Sequence, residues 1–220
     1  MRIMIHACPA RMWYVNEFLV PSLKEQGAGD IYVWNDRNGL GNLDATMASF
    51  ALCGHYDGGT WHLQDDVIIS RDFVKRAREH DNGLVCGFVS QPFGPFVDTI
   101  GRAPVAFCWY SFPCIRIPND YARDFAEWWR MEGQHEARYS SHIYYKNGDD
   151  SIFRDWLIEH KHGTHVTNLK PCLVDHIDYL LGGSVTNKHR AIPARAYWFD
   201  DADLVDSLAV NLATRALNAV

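Results

Sequence analysis

Short apolar runs alternate with helically spaced segments over the first seventy residues, and this alternation constrains the fold more than any other feature of the chain. Arg2 to Ala7 is strand-like. Pro9 to Gln26 carries Trp13, Phe18, Leu19 and Leu23 at roughly helical spacing and is stopped by Gly27 and Gly29. Ile31 to Trp34 predicts a second strand, which ends in Asn35-Asp36. Leu43 to Cys53 predicts a short helix closed by Gly54, and a third strand follows from Thr60. Arg71 to His80 reads as a charged helix and Leu84 to Ser90 as a fourth strand. Strands joined by helices in this order predict parallel β-α-β units covered by helices on both sides.

The third strand, Thr60-Trp61-His62-Leu63-Gln64, runs into Asp65-Asp66 before a second apolar step, Val67 to Ile69. Burying even one unpaired carboxylate is very costly. The strand is therefore expected to end here and to present the pair to a cation, an arrangement that suits a divalent metal holding a diphosphate. The plainer alternative is an exposed turn in which the two Asp residues cap the helix beginning near Ser70. Ligands of parallel sheets bind beyond the carboxyl ends of the strands. His6-Ala7-Cys8-Pro9, Asn35-Asp36 and Asp65-Asp66 all fall at such ends, so the expectation is that they converge on one edge.

The second half is less regular. Gln91 to Pro104 reads as a loop, Val105 to Ile117 as strand, and Asn119 to Met131 as a helix capped by Asn119 or Asp120. Glu132 to Tyr139 is polar and reads as a flap. Asp149 to His162 predicts a helix ended by Gly163, and His165 to Val174 contains a short strand. Asp200 to Val220 predicts a terminal helix with a buried Leu204, Leu208 and Leu212 stripe and Asp200, Asp201 and Asp203 at its amino end. No repeat or linker divides the 220 residues. The expectation is one α/β domain over 1–220, with a regular half (1–90) and an elaborated half (91–220).

At 47 % hydrophobic and 22 % charged residues the chain has the composition of a soluble globular protein. No apolar stretch approaches a membrane span, and the short start Met1 to Ile5 reads as a first strand rather than a signal peptide. A net charge of -6 argues against non-specific binding to nucleic acid or anionic membranes. The six cysteines form no Cys-x-x-Cys pair and no zinc pattern, which predicts a reduced, cytoplasmic setting.

Further clusters bear on chemistry. Pro171 to Asp178 contains His176, whose imidazole is a good ligand for manganese or similar ions and would complete a site made by a carboxylate and a diphosphate. Asp149 or Asp150 could take a proton from an acceptor hydroxyl, although Asp in a first helical turn is also favoured by capping and by the helix dipole. The loop Asn38-Gly39-Leu40-Gly41-Asn42 could bring backbone N–H groups to a phosphate, but by itself reads as a plain turn. His160, His162 and His165 read as an exposed helix end. Arg71, Lys75, Arg76 and Arg78 read as a solvated helix face. Arg116, Arg123, Arg130 and Arg138, with Trp128 and Trp129, could meet an anionic acceptor. No Gly-x-Ser-x-Gly elbow, His-Glu-x-x-His or Walker ending occurs, which leaves serine hydrolases, zincins and P-loop enzymes without support.

Together these residues resemble glycosyltransferases of the GT-A fold, in families related to lipopolysaccharide glycosyltransferases. Gln64-Asp65-Asp66-Val67 is similar to their Glu-Asp-Asp version of the Asp-x-Asp motif. Lys170-Pro171-Cys172-Leu173-Val174-Asp175-His176-Ile177 resembles their late Pro-x-Leu-Val-x-His segment, and Gly182 to Asn187 the polar stretch after it. The resemblance covers residues 1 to about 190 and implies a Rossmann-type, mostly parallel sheet flanked by helices. It implies a nucleotide-sugar half followed by an acceptor half. It further implies Mn²⁺ or Mg²⁺ on Asp66 and His176, with Asp65 on the metal or the ribose. Asn35, Asp36 and the His6, Ala7 and Pro9 loop would face the nucleoside, with Asn42 nearby. Asp150, or Asp149, would be the base of an inverting enzyme. Gln64 departs from the usual acidic residue, and the chain is short. Compact versions of this kind resemble phage-encoded transferases, which act in the host cytoplasm. The implied partners are a nucleotide-sugar donor, UDP-sugar being the commonest, and an acceptor hydroxyl on a glycan, a modified nucleic acid base or a protein. The alternatives are a carbohydrate- or protein-binding module on a degenerate fold of this type, served by the 8 Trp and 10 Tyr residues, and a metal-dependent phosphohydrolase, which would need more carboxylates around two ions.

Overall fold

Alternation along four strands builds the molecule, because successive side chains of a strand point to opposite faces. In β1 (Arg2–Ala7), Ile3 and Ile5 face one way. In β3 (Gly59–Gln64), Trp61 and Leu63 join them, as does Val85 of β5 (Leu84–Cys86). Their neighbours on β5 and β7 (Cys114–Pro118), namely Leu84, Cys86, Ile115 and Ile117, face the other way into a second core. The computed structural model describes residues 1–40, 42–90, 102–104, 112–133, 149–181 and 195–218. The expected loop over 91–101, the strand over 105–111, the flap over 134–139 and the Gly182–Asn187 stretch lie outside them.

The sheet runs β2-β1-β3-β7-β5-β8-β6, with β2 at Asp30–Asn35, β6 at Arg102–Pro104 and β8 at His165–Asn168. Pairs β1–β2, β1–β3 and β5–β8 are parallel, while β7 runs antiparallel between β3 and β5. Five of the seven strands thus point the same way, as the sequence pattern predicts. Residues 102–104 correct the expectation of a loop to Pro104: they form an edge strand antiparallel to β8. An edge is where a strand carrying Pro is tolerated.

Helices cover both faces. Over the first core lie the helical run 12–25 (α1), which contains a π-turn at Val15–Leu19, the helix Phe73–Glu79 (α2) and the carboxyl-terminal helix Ala202–Asn218 (α3). Over the second lie Asn42–Cys53, Asn119–Trp128 and Asp149–His160. Gly27 ends α1 at φ 85°, with its own N–H on Lys24 O and the N–H of Ala28 on Leu23 O, a left-handed cap that needs glycine. Two expectations are corrected. Asn119 does not cap its helix: its side chain accepts from Thr60 Oγ1 and donates to the carbonyls of Tyr56 and Asp57. On α3 the buried positions are Val205 and Leu208, with Leu212 partly buried against the same core. Among the described residues no helix is long and apolar enough to cross a membrane.

The step Val67–Ile69 is strand β4, and it pairs antiparallel with β9 (Val174–His176) in a small second sheet. The register sets Val67 opposite His176, and Ile177 N donates to Asp66 O at 2.8 Å. A slip by one residue would turn His176 to the other face. Gly87 keeps this junction tight, since a Cβ there would lie 2.6 Å from Cys114 Sγ and 3.2 Å from Leu173. Gly87→Ala is expected to cost about 1–3 kcal/mol through overpacking. Calorimetry should read this as a melting temperature lower by about 3–10 °C, and an unchanged value would mean that the junction yields.

Candidate functional site

Parallel register brings the carboxyl ends of β2, β1 and β3 side by side: Ala7 lies opposite Asn35, and His6 opposite both Trp34 and Gln64. Asp65 and Asp66 form the turn directly after β3 and are both buried. With a strand between the pair and α2, the capping alternative does not hold. The three polar strand ends converge as predicted.

Arg11 compensates the pair. It closes a short 3-10 turn, Pro9–Arg11, that leaves the end of β1. Its Nη1 donates to Asp65 Oδ1 at 2.9 Å and also to Asp66 Oδ2. The other oxygen of Asp65 accepts from Cys8 N at 2.7 Å. Both Asp65 oxygens therefore have partners within the chain. Asp66 differs: its Oδ1 has no hydrogen-bond partner among the described residues and stands 3.2 Å from His176 Nε2. Behind the imidazole, Asp178 Oδ1 lies 3.7 Å from Nδ1 and is buried. Burial and the adjacent Asp66 charge raise the Asp65 carboxyl above its ordinary value. Burial pushes Asp66 upward too, but the His176 ring and the Arg11 guanidinium outweigh it and hold that carboxyl low.

The Asp66–His176 spacing suits two ligands of one ion. Donor atoms about 2.1 Å from a metal and at right angles stand about 3 Å apart, and a carboxylate behind the distal ring nitrogen is the usual support of a ligating histidine. Among the described residues no group of three or more His, Cys, Asp or Glu side chains is arranged to hold a metal ion. The chain itself thus offers two convergent donor atoms, with further coordination left to a ligand.

Nearby, Asp36 spends Oδ1 on Leu40 N at 2.9 Å, which stabilises the turn after β2. Asn35 Oδ1 is buried without a partner among the described residues. The backbone of Asn42 begins its helix, and its side chain lies outside what is described.

A second polar group lies on the opposite face of β1 and β3, where alternation points His6, His62 and Gln64. His6 Nε2 is 2.9 Å from His62 Nδ1, and Ser49 Oγ lies 3.2 Å from the same His6 atom. Burial pushes the His6 imidazole down to about 4 and His62 well below its usual value. With Thr46, Phe50, Phe112, Ile115 and Asp149 they line a small recess of about 10 Å³, room for about one water molecule. Asp149 Oδ2 accepts from Thr46 Oγ1 at 2.9 Å. Burial, reinforced by the Asp150 charge, pushes the Asp149 carboxyl up to about 7. Asp150 instead turns Oδ1 to its neighbour's backbone, Ser151 N, at 2.7 Å. The structure therefore separates the two candidates, with Asp149 in the recess and Asp150 on its own helix end.

Sequence reading missed Arg11, His62 and Asp178. A signal existed for His62, which shares the face of Thr60 and Gln64 in an otherwise apolar strand. Arg11 had none beyond its place just after Pro9. Two members of the expected acceptor surface are not available to it: Arg116 is buried on Asp81 and Gly83 O, and Trp129 is buried in the second core, while Arg123 and Arg130 are exposed. Arg138 lies outside the described residues. Arg71 pairs with Asp201 and Asp203, joining α2 to the start of α3.

No protein-family model matches the chain, and no curated protein matches it by sequence. Among solved structures it resembles the galactosyltransferase LgtC in complex with donor and acceptor sugar analogues. The two are 14 % identical, the match covers 96 % of each chain, and the TM-score is 0.51. Coarser likenesses are to A197 from STIV (14 % identity, 80 % of this chain and 86 % of that one, TM-score 0.38) and to a Bacillus anthracis protein assigned as a glucose-1-phosphate thymidylyltransferase, in complex with sucrose (10 %, 84 % and 92 %, TM-score 0.45). The fold is GT-A-like, a Rossmann-type sheet flanked by helices.

Proposed function

We propose that the chain is a metal-dependent glycosyltransferase that moves a sugar from a nucleotide-diphosphate sugar, UDP-sugar being the first to test, to an acceptor hydroxyl. The observation that carries this reading is the convergence of Asp66 Oδ1 and His176 Nε2, 3.2 Å apart, at the carboxyl edge of the parallel strands. Asp66 and His176 would hold a divalent ion, whose charge would neutralise the diphosphate leaving group. Asp178, 3.7 Å from the distal ring nitrogen, would support the His176 ring through its charge. Asn35 Oδ1, buried and without a partner among the described residues, is suited to accept from an N–H of the base. Asp65 fixes the β1 loop through Cys8 N and holds Arg11.

Asp149 is the better base of the two acidic candidates. A carboxyl poised near 7 is partly ionised at neutral pH and can accept a proton. In an inverting reaction the acceptor O–H proton passes to Asp149 as the new bond forms at the anomeric carbon. The electron pair of the breaking bond leaves with the diphosphate.

The test is thermal stability with a panel of nucleoside diphosphates and nucleotide sugars, with and without Mn²⁺. A ligand of the native state raises the melting temperature, by about 2.7 kcal/mol of stability at a hundredfold excess over Kd. The expected result is a Mn²⁺-dependent rise with one nucleotide. No rise with any of them overturns the transferase reading, and a rise with free glycans alone would favour a carbohydrate-binding module.

A further inference from the structure

The position between the two carboxylates of the Asp pair is already taken by a cation of the chain. Arg11 Nη1 lies 2.9 Å from Asp65 Oδ1 and also bonds Asp66 Oδ2, and all three side chains are almost wholly buried. Asp66 is consequently divided, one oxygen on the guanidinium and the other 3.2 Å from His176 Nε2. Asp65, Asp66 and Arg11 together carry one net negative charge, where the two carboxylates alone would carry two. A guanidinium stays charged at any working pH, so this compensation is permanent.

We propose that Arg11 is a built-in cation that occupies the bridging position between Asp65 and Asp66 and thereby limits how firmly the nucleotide-free protein can hold a divalent ion. The ion is left with Asp66 Oδ1 and His176 Nε2, too few ligands for tight binding until a diphosphate adds its oxygens. The idea rests on the metal-site reading above. Replacing the guanidinium by a neutral side chain doubles the negative charge and frees Asp65 Oδ1 and Asp66 Oδ2 as ligands.

The experiment is a Mn²⁺ titration of the nucleotide-free protein, read by the paramagnetic resonance signal of free Mn²⁺, for wild type and Arg11→Gln. Arg11→Gln is expected to bind Mn²⁺ about tenfold or more tightly, because a unit charge within a few ångströms in a buried site is worth at least that much. Its melting temperature in EDTA is expected to fall by about 10 °C, since a buried pair has been broken from one side. Mn²⁺ should restore most of that loss while leaving wild type nearly unchanged. Equal or weaker Mn²⁺ binding by Arg11→Gln overturns the proposal. So does an Arg11→Gln protein that stays unfolded at saturating Mn²⁺, because the guanidinium would then be needed for more than its charge. Adding each nucleoside diphosphate of the panel to wild type in the same titration separates the two readings. A gain in Arg11→Gln with no effect of any nucleotide on wild type keeps the Arg11 assignment and removes the donor site.

Discussion

Asp66→Asn is expected to lower sugar transfer by about a thousandfold while leaving the fold intact. The loss follows from removing the negative charge of the carboxylate that stands 3.2 Å from His176 Nε2, and few things an active site does speed a reaction more than stabilising the charge on a leaving group. The fold survives because Arg11 keeps its bond to Asp65 Oδ1, so the guanidinium is not left unpaired. The cluster goes from one net negative charge to none. Two measurements check this together: turnover with the donor identified by the stability panel, and the Mn²⁺-dependent rise in melting temperature with that nucleotide. Both should vanish in Asp66→Asn. If turnover persists within tenfold, Asp66 is not the residue through which the donor diphosphate is neutralised.

The second large effect is at Asp149, and its sign runs opposite to that of ordinary surface carboxylates. The folded protein holds this carboxyl at about 7, above the 3.8 of the free group, because it is buried beside Asp150. The folded state therefore binds the proton more tightly, and the resulting stability is fully present below pH 3.8 and is lost as pH rises through 7. Asp149→Asn keeps an oxygen for Thr46 Oγ1 and carries no charge at any pH. It should match wild type near pH 4 and melt higher at pH 8. The gap corresponds to roughly 4 kcal/mol at most, or about 8–16 °C. His6 and His62 act the other way: their stabilising effect is present above pH 6.5 and is lost as pH falls through their lowered values. They are common to both proteins and cancel in the difference. Transfer should fall by about a hundredfold or more in Asp149→Asn and by far less in Asp150→Asn. A melting difference that does not change with pH would remove the raised carboxyl. Equal activity in Asp149→Asn would remove it as the base.

How much of this was legible beforehand varies by element. β1, β2, the helix Asn42–Cys53 and the Asp149 helix lie where periodicity put them, because burial of one face leaves a local, repeating mark. The turn at Asp65-Asp66 was legible for a similar reason, since two adjacent charges cannot continue a buried strand. The edge strand Arg102–Pro104 was not, because its three residues carry Pro and no apolar run, and it exists through pairing with β8. Asn119 misled because a residue suited to capping was recruited across the sheet by Thr60.

The sequence by itself determined a layered α/β chain whose first three strands end in polar residues, and it singled out the Asp pair, His176 and Asp149 or Asp150. These follow from short-range rules, in which each residue's neighbours along the chain set strand or helix and face or edge. Only the tertiary structure decided which of them meet. His176 reaches Asp66 because β4 and β9, more than a hundred residues apart, pair in one register. Asp149 rather than Asp150 turns into the recess because its helix packs over the face that holds His6 and His62. Arg11 became part of the site because a single turn after β1 carries it across to the end of β3. Such meetings depend on the register and packing of distant segments, and no local pattern records them.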